Sequence, residues 1–416
     1  MKKIQIHGPV FLWLQGLTFL CFGYLMRTPI WHGMDGEILC EAHSLNQAPL
    51  AMLGHIGFYF SQPLLQLAFL LEYRVFGLNT AGYIGVNLFV HACNAFIIYM
   101  LVNMLFPRKN MAILAATLFT LGVGNYGKTF MTIYQLEPLM VAGLQLLVLY
   151  FFIRNDFRHG SGVLSRYFIM GLVLFVLASM TNAASFSLIL SLAAYKAFFN
   201  PLRRGRVFLS TDLIIIMLVG IVFHYAQEIW GYQAPTVFHT DMPSQHYSLL
   251  SLKNIFRYLN LMFFPMQQSP ILETSPPWLV FLFNARTVIR IFLTLSIISY
   301  SFFGFVFGSR AIRFFIAWTF ITLLPFTSHS DSGQWLNLSH LYLTSVGFCV
   351  ILAAGVDGTK GLLRARRWAR YAPYLLPLVF VFMSLELTYK LNRSNQIKAR
   401  GPQALLMREK VAQSCR

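Results

Sequence analysis

The sequence predicts an all-α, polytopic helical membrane protein of about eleven transmembrane helices, with interfacial helices in two outer loops. Three observations predict it. Of 416 residues, 57% are hydrophobic, and the mean hydropathy is +0.60. Only 11% are charged, against about 25% in a soluble globular chain, which is too little to cover a folded surface of this size. The apolar residues come in runs near 20 long, the length that crosses a bilayer as a helix. A soluble enzyme, a disordered chain and a disulfide-rich secreted domain are thereby excluded. The five cysteines, at 21, 40, 93, 349 and 415, make no CxxC pair and no metal spacing.

Taken in order, the apolar segments are 9–26, 83–106, 111–125, 136–153, 167–181, 183–199, 209–226, 287–308, 312–327, 339–356 and 371–389. The first follows Met1-Lys2-Lys3. No small-residue cleavage site comes after Leu25, so it reads as an uncleaved helix rather than a signal peptide. Lysine and arginine set the orientation. If the N-terminus is cytoplasmic, 18 of the 32 basic residues fall at cytoplasmic helix ends, from Lys2 to the group Lys360, Arg364, Arg366, Arg367 and Arg370. The net charge of +18 then serves topology and contact with anionic headgroups, and nucleic acid is not a partner.

Residues 1–389 read as one transmembrane domain and 390–416 as a basic extracytoplasmic tail. Two outer segments, 27–82 and 227–286, exceed the length of simple turns. Their moderately apolar pieces, Ala48–Phe60, Leu64–Leu71 and Ile255–Pro265, suit helices lying at the headgroup level. No cytoplasmic stretch is long enough for a domain, so function is expected on the outer face.

Chemistry is sought among the 14 acids. Trp31-His32-Gly33-Met34-Asp35-Gly36-Glu37 places two of them just after the first helix. Asp35 suits a general base for a hydroxyl, or a divalent-metal ligand (Mg or Mn) with Glu37, Glu41 and His43; the plainer alternative is a solvated turn that caps the next helix. Asn87, His91 and Asn94 share one helical face and read as an interhelical hydrogen-bond seam. Glu137 opens a span beside Pro138 and complements a helix N-terminus. Lys128 either contacts a lipid-linked phosphate or snorkels to the surface. Lys253 and Arg257 either clamp a phosphate or anchor to headgroups. His329, Asp331 and His340 form a weak metal-site candidate.

Two stretches carry a resemblance. Residues 61–106 read SQPLLQLAFLLEYRVFGLNTAGYIGVNLFVHACNAFIIYMLVNMLF, and 341–348 read LYLTSVGF. Both resemble GT-C type membrane glycosyltransferases, most closely the membrane-spanning half of tetratricopeptide-repeat O-mannosyltransferases and their bacterial relatives. The resemblance implies a GT-C-like fold and an inverting transfer from a polyprenyl-phosphate sugar on the outer membrane face, with or without a metal. It implies that Asp35 is the catalytic base and Glu37 its neighbour. The family's basic and acidic motif positions are occupied here by Gly122-Val123, Gly127, Thr181-Asn182 and Leu338-Ser339, which leaves Arg74, Lys128, Arg257 or His340 to contact the donor phosphate. The implied partners are a lipid-linked sugar and membrane lipids, with the acceptor open, in a bacterial inner membrane with the active face outward. A non-catalytic GT-C-fold component of envelope biogenesis is the alternative. A transporter or flippase fits less well, since the chain shows no internal repeat.

Overall fold

The computed structural model describes residues 7–27, 33–47, 63–106, 108–122, 130–159, 165–181, 187–199, 210–231, 249–263, 286–327, 340–362, 369–399 and 409. Among these every regular element is helical. In chain order they are α1 (Gly8–Phe22), α2 (Gly33–Gln47), α3 (Pro63–Phe76), α4 (Thr80–Leu105), α5 (Lys109–Leu121), α6 (Leu136–His159), α7 (Arg166–Ser179), α8 (Ser187–Phe199), α9 (Thr211–Gly231), α10 (Leu249–Phe263), α11 (Arg286–Phe307), α12 (Arg310–Ile321), α13 (Leu341–Leu362) and α14 (Leu375–Ala399). Five helical stretches are long and apolar enough to cross a membrane: Gly8–Arg27, Thr80–Leu105, Ile133–Phe157, Leu341–Lys360 and Tyr371–Ser394. Shorter apolar helices include α5, α7 and α8. Each of the eleven apolar segments read from the sequence overlaps a described helix, and the protein is an integral membrane protein. The helix α14 continues beyond residue 389, carried by a Glu386–Lys390 ion pair one turn apart (3.1 Å).

The chain forms two compact units. The first comprises residues 1–101, 129–240 and 392–416, the second 102–128 and 241–391. In the first, α6 packs along α7, and three helix ends are tied by a buried lysine. Lys196 of α8, 3% exposed, pairs with Asp212 of α9, lies 4.0 Å from Asp156 of α6 and covers the Phe152 ring. The Asn seam is present in this unit. Asn87 Nδ2 donates to the Thr132 carbonyl (3.0 Å) and Asn94 Nδ2 to the Leu139 carbonyl (2.9 Å), while His91 packs edge-on against Phe130. These bonds fix α4 to the segment that opens α6. Gly143 permits the approach, because a Cβ there would meet Asn94 Oδ1 at 2.5 Å.

The stretch most like the glycosyltransferases explains itself structurally. Gly77 adopts a left-handed φ of 55° and closes α3 by donating to the Tyr73 carbonyl, a conformation glycine adopts at no steric cost. Tyr83 donates from its hydroxyl to the Gly77 carbonyl (2.8 Å), and Gly82 lies so close to the Phe76 ring that a Cβ would meet it at 2.2 Å. In the second unit, α13 packs on α12 and α5. Gly347 faces Thr319 Oγ1, 2.2 Å from where a Cβ would stand, and Trp318 Nε1 donates to the Leu343 carbonyl. Both family-like stretches therefore hold turns and close helix crossings.

Candidate active site

Within residues 27–82 a helix, α2, forms that the sequence pattern had hidden. In α2, Ile38, Leu39, Ala42 and Leu45 are buried, a single stripe at helical spacing, and Asp35 lies on that stripe one turn before Ile38 and Leu39. Asp35 is 0% exposed. It occupies the first turn of α2, where the unpaired amides and the helix dipole favour a carboxylate. Its Oδ1 accepts from the Tyr134 backbone N–H at 3.1 Å, across 99 residues. Glu37, two positions on, points away from the stripe and is exposed. The two acids do not lie on one face of α2.

Tyr134 is the hub. It belongs to a short 3-10 turn, Ile133–Gln135, that leads into α6, and its side chain is hydrogen-bonded to Glu137. Glu137 is itself buried, at 5% exposure, in the first turn of α6. Backbone and side chain of one tyrosine thus join two buried carboxylates carried by two helix N-termini. An apolar cluster of Ile38, Leu39, Leu65, Phe69, Tyr83, Ile133 and Leu136 packs against Tyr134 beside this arrangement.

A set of polar ties holds α3 beside α2. Gln66 Nε2 donates to Glu41 Oε1 (3.3 Å), His43 Nδ1 lies 2.9 Å from the Tyr73 hydroxyl, and Arg74 Nε donates to Asn46 Oδ1 (2.9 Å). Residues 41, 43 and 46 meet 66, 73 and 74 in the same order, so the two helices run in parallel. Arg74, a candidate phosphate contact, is exposed and committed to Asn46. Lys128, His329 and Asp331 lie outside the described residues.

In the second unit, α10 carries the other candidates. Asn254 and Tyr258 are buried, one turn apart, and Arg257 is exposed between them. Asn254 Nδ2 donates to the Thr327 carbonyl (3.2 Å), and Asn254 Oδ1 accepts from Arg257 at 3.5 Å. His340 stacks on Phe326 at 4.0 Å between ring centroids and shares a 3.2 Å hydrogen bond with the Tyr258 hydroxyl. Arg257 and His340 are therefore brought to neighbouring residues of one helix. Among the described residues no three His, Cys, Asp or Glu side chains come together as a metal set.

The residue that sequence reasoning missed is Glu72 of α3. It occupies the buried stripe Leu65–Phe69–Glu72 at 7% exposure, and burial pushes its carboxyl up to about 8. The signal was there: an acid at a position where helical spacing calls for a hydrophobic side chain.

No family model matches the chain, and no curated protein matches it by sequence. Solved structures do. One is the archaeal oligosaccharyltransferase AglB from Archaeoglobus fulgidus, in complex with an inhibitory peptide and a dolichol-phosphate, with a TM-score of 0.54 and 12% identity. Another is the Archaeoglobus fulgidus oligosaccharyltransferase in its apo form, with a TM-score of 0.52 and 13% identity. Each match takes in 95% of this chain and 56% of the other. The fold is GT-C-like. The chain spans about half the length of the solved proteins it matches.

Proposed function

We propose that this protein is a GT-C type glycosyltransferase that moves a sugar from a polyprenyl-phosphate donor to an acceptor hydroxyl on the outer face of a bacterial inner membrane. The observation that carries the proposal is Asp35, an acid withdrawn from solvent at a helix N-terminus and bonded to Tyr134, in a chain whose fold is that of oligosaccharyltransferases. One of those neighbours was solved with a dolichol-phosphate, which supports a lipid-linked donor. The Tyr134 N–H fixes one carboxylate oxygen and leaves the group oriented as a base. Cys40, in the middle of α2, is disulfide-bonded, which supports an oxidising outer compartment for this helix. The likeness of 61–106 and 341–348 to the tetratricopeptide-repeat O-mannosyltransferase branch points to a hydroxyl acceptor.

In the proposed reaction Asp35 takes the proton of the acceptor hydroxyl as its oxygen bonds to the anomeric carbon. The bond from that carbon to the phosphate oxygen breaks, and the lipid phosphate leaves with the electron pair. Asp35 is closed to solvent in this state, so acceptor binding includes an opening step at the start of α2. Arg257, exposed on α10 of the second unit, is one candidate phosphate contact among Arg74, Lys128, Arg257 and His340, and guanidinium suits phosphate geometry. Glu37 is not required as a second base.

Sugar transfer from polyprenyl-phosphate donors tests this directly. Purified protein should transfer, and Asp35→Asn should lose about 10²–10⁴-fold in rate, the usual contribution of a positioned base. Equal rates would remove Asp35 from the mechanism. Equal incorporation by membranes with and without the protein would replace the enzyme with a non-catalytic component of the same fold.

A further inference from the structure

Glu72 stands where a leucine would be the ordinary choice. It follows Leu65 and Phe69 along the face of α3 that packs into the apolar cluster between α2, α4 and the start of α6. Neither of its carboxylate oxygens makes a hydrogen bond among the described residues. Several of the polar groups nearby are committed elsewhere. The Tyr83 hydroxyl, close enough for its charge to feel Glu72, donates to Gly77. The Tyr73 hydroxyl is bound to His43, the Gln66 amide to Glu41, and Arg74 to Asn46. Arg74 is also two residues along the helix, which turns it away from Glu72.

The other titratable groups on the packed elements do not relieve this. The helix α2 brings Asp35, Glu37 and Glu41, three more acids, together with His43; α4 brings Tyr83 and His91; α6 and its leading turn bring Glu137 and Tyr134. An ionised Glu72 would be a buried charge with no counter-charge or donor supplied by these ties, a state that folded proteins avoid by keeping the proton. Its carboxyl, up at about 8, is accordingly the neutral acid at pH 7.

We propose that Glu72 is a proton-loaded positioning residue: protonated, it keeps α3 seated on α2 and so holds Asp35 against Tyr134, and ionised, it loosens that seat. The catalytic half of this statement rests on the transferase reading above; the structural half does not. The geometry makes the coupling short, because the cluster that holds Leu65 and Phe69, on the same face of α3 as Glu72, also contains Ile38 and Leu39, the residues one turn from Asp35.

The sign of the effect follows from where the proton is held. The folded carboxyl lies above its ordinary value of 4.5, at about 8, so between these values the folded chain keeps a proton that the unfolded chain has released. Stability therefore falls as pH rises from about 4.5 to about 8, and levels off above that. A glutamine has nearly the shape of the neutral acid and cannot ionise.

The test compares the full-length wild type with Glu72→Gln and Glu72→Leu in lipid nanodiscs. Thermal midpoints from pH 5 to 9.5 need no substrate: the wild type should lose stability relative to both variants across pH 5–8. Hydrogen exchange of the α2 amides, corrected for intrinsic rates, should quicken above pH 8 in the wild type alone. Both variants melting with the wild-type pH dependence would overturn the proposal. Sugar-transfer profiles add the catalytic arm: the alkaline limb of the wild type, near pH 8, should move upward by more than about one pH unit in Glu72→Gln. A limb that stays in place in a variant whose melting has lost its pH dependence would overturn the positioning role. Melting that behaves as described in a protein that transfers no sugar would leave the buried acid in place and remove the transferase reading.

Discussion

The α2–α3 layer of the first unit and the α10 region of the second treat charge in opposite ways. The first takes one acid of each helix inside. Asp35 of α2 and Glu72 of α3 are buried, as is Glu137 at the adjoining start of α6, while Glu37 stays exposed; Asp35 and Glu137 sit at helix N-termini, where backbone amides suit a carboxylate. The second keeps its bases outside, with Lys253 and Arg257 exposed on α10 while the neighbouring Asn254 and Tyr258 turn inward. Side-chain length is part of the reason. An aspartate has no stem with which to reach water, so its seat must be built by backbone donors; arginine and lysine bury their methylenes and leave the charge in solvent. A buried acid is poised for proton transfer, and an exposed guanidinium for electrostatic contact with a mobile phosphate.

Mutations can break this contrast at several depths. Asp35→Asn is the most severe, with the loss already given. Tyr134→Phe comes next. It removes the hydroxyl from Glu137 while keeping the backbone N–H that Asp35 uses, and a buried carboxylate deprived of its donor costs about 1–3 kcal/mol. Denaturation should show that loss, with transfer reduced about tenfold; unchanged stability would mean that the Glu137 contact carries no weight. Arg257→Gln should raise KM for the lipid donor about three- to tenfold and leave stability within about 0.5 kcal/mol. An unaltered KM would remove α10 from donor binding. Glu37→Gln is the mildest. Being exposed and off the buried stripe, it should change stability by less than about 0.5 kcal/mol and activity by less than about twofold. A loss as large as that of Asp35→Asn would put both acids in the chemistry.

The helices were legible because apolar runs have few alternatives in a bilayer, where every backbone amide must be satisfied within the segment. The seam of Asn87 and Asn94 was legible for the same reason, since amides in an apolar helix need partners. The helix α2 was not. Its stripe of Ile38, Leu39, Ala42 and Leu45 is interleaved with Gly36, Glu37, Glu41 and His43, and a search for spans passes over it. Asp35 was visible as a rare acid, but its separation from Glu37 required the helical geometry that places neighbours two apart on different faces. The Tyr134 hub was illegible altogether, because it is made by a backbone amide 99 residues from the carboxylate it binds. Glu72 lay within the most family-like stretch, yet its significance comes from the third dimension, where nearby donors are already engaged.

The asparagine seam has a consequence for the way the chain is made. Asn87 and Asn94 each bond to a carbonyl 45 residues further along, so each amide is synthesised before its acceptor. At about 5–20 residues per second that interval is roughly 2–9 seconds. Until the start of α6 emerges and packs, α4 carries two side-chain amides without their final acceptors, and hydrocarbon offers no substitute. The helix is therefore a poorer candidate for early release into lipid than a span without amides, and is better inserted together with the start of α6.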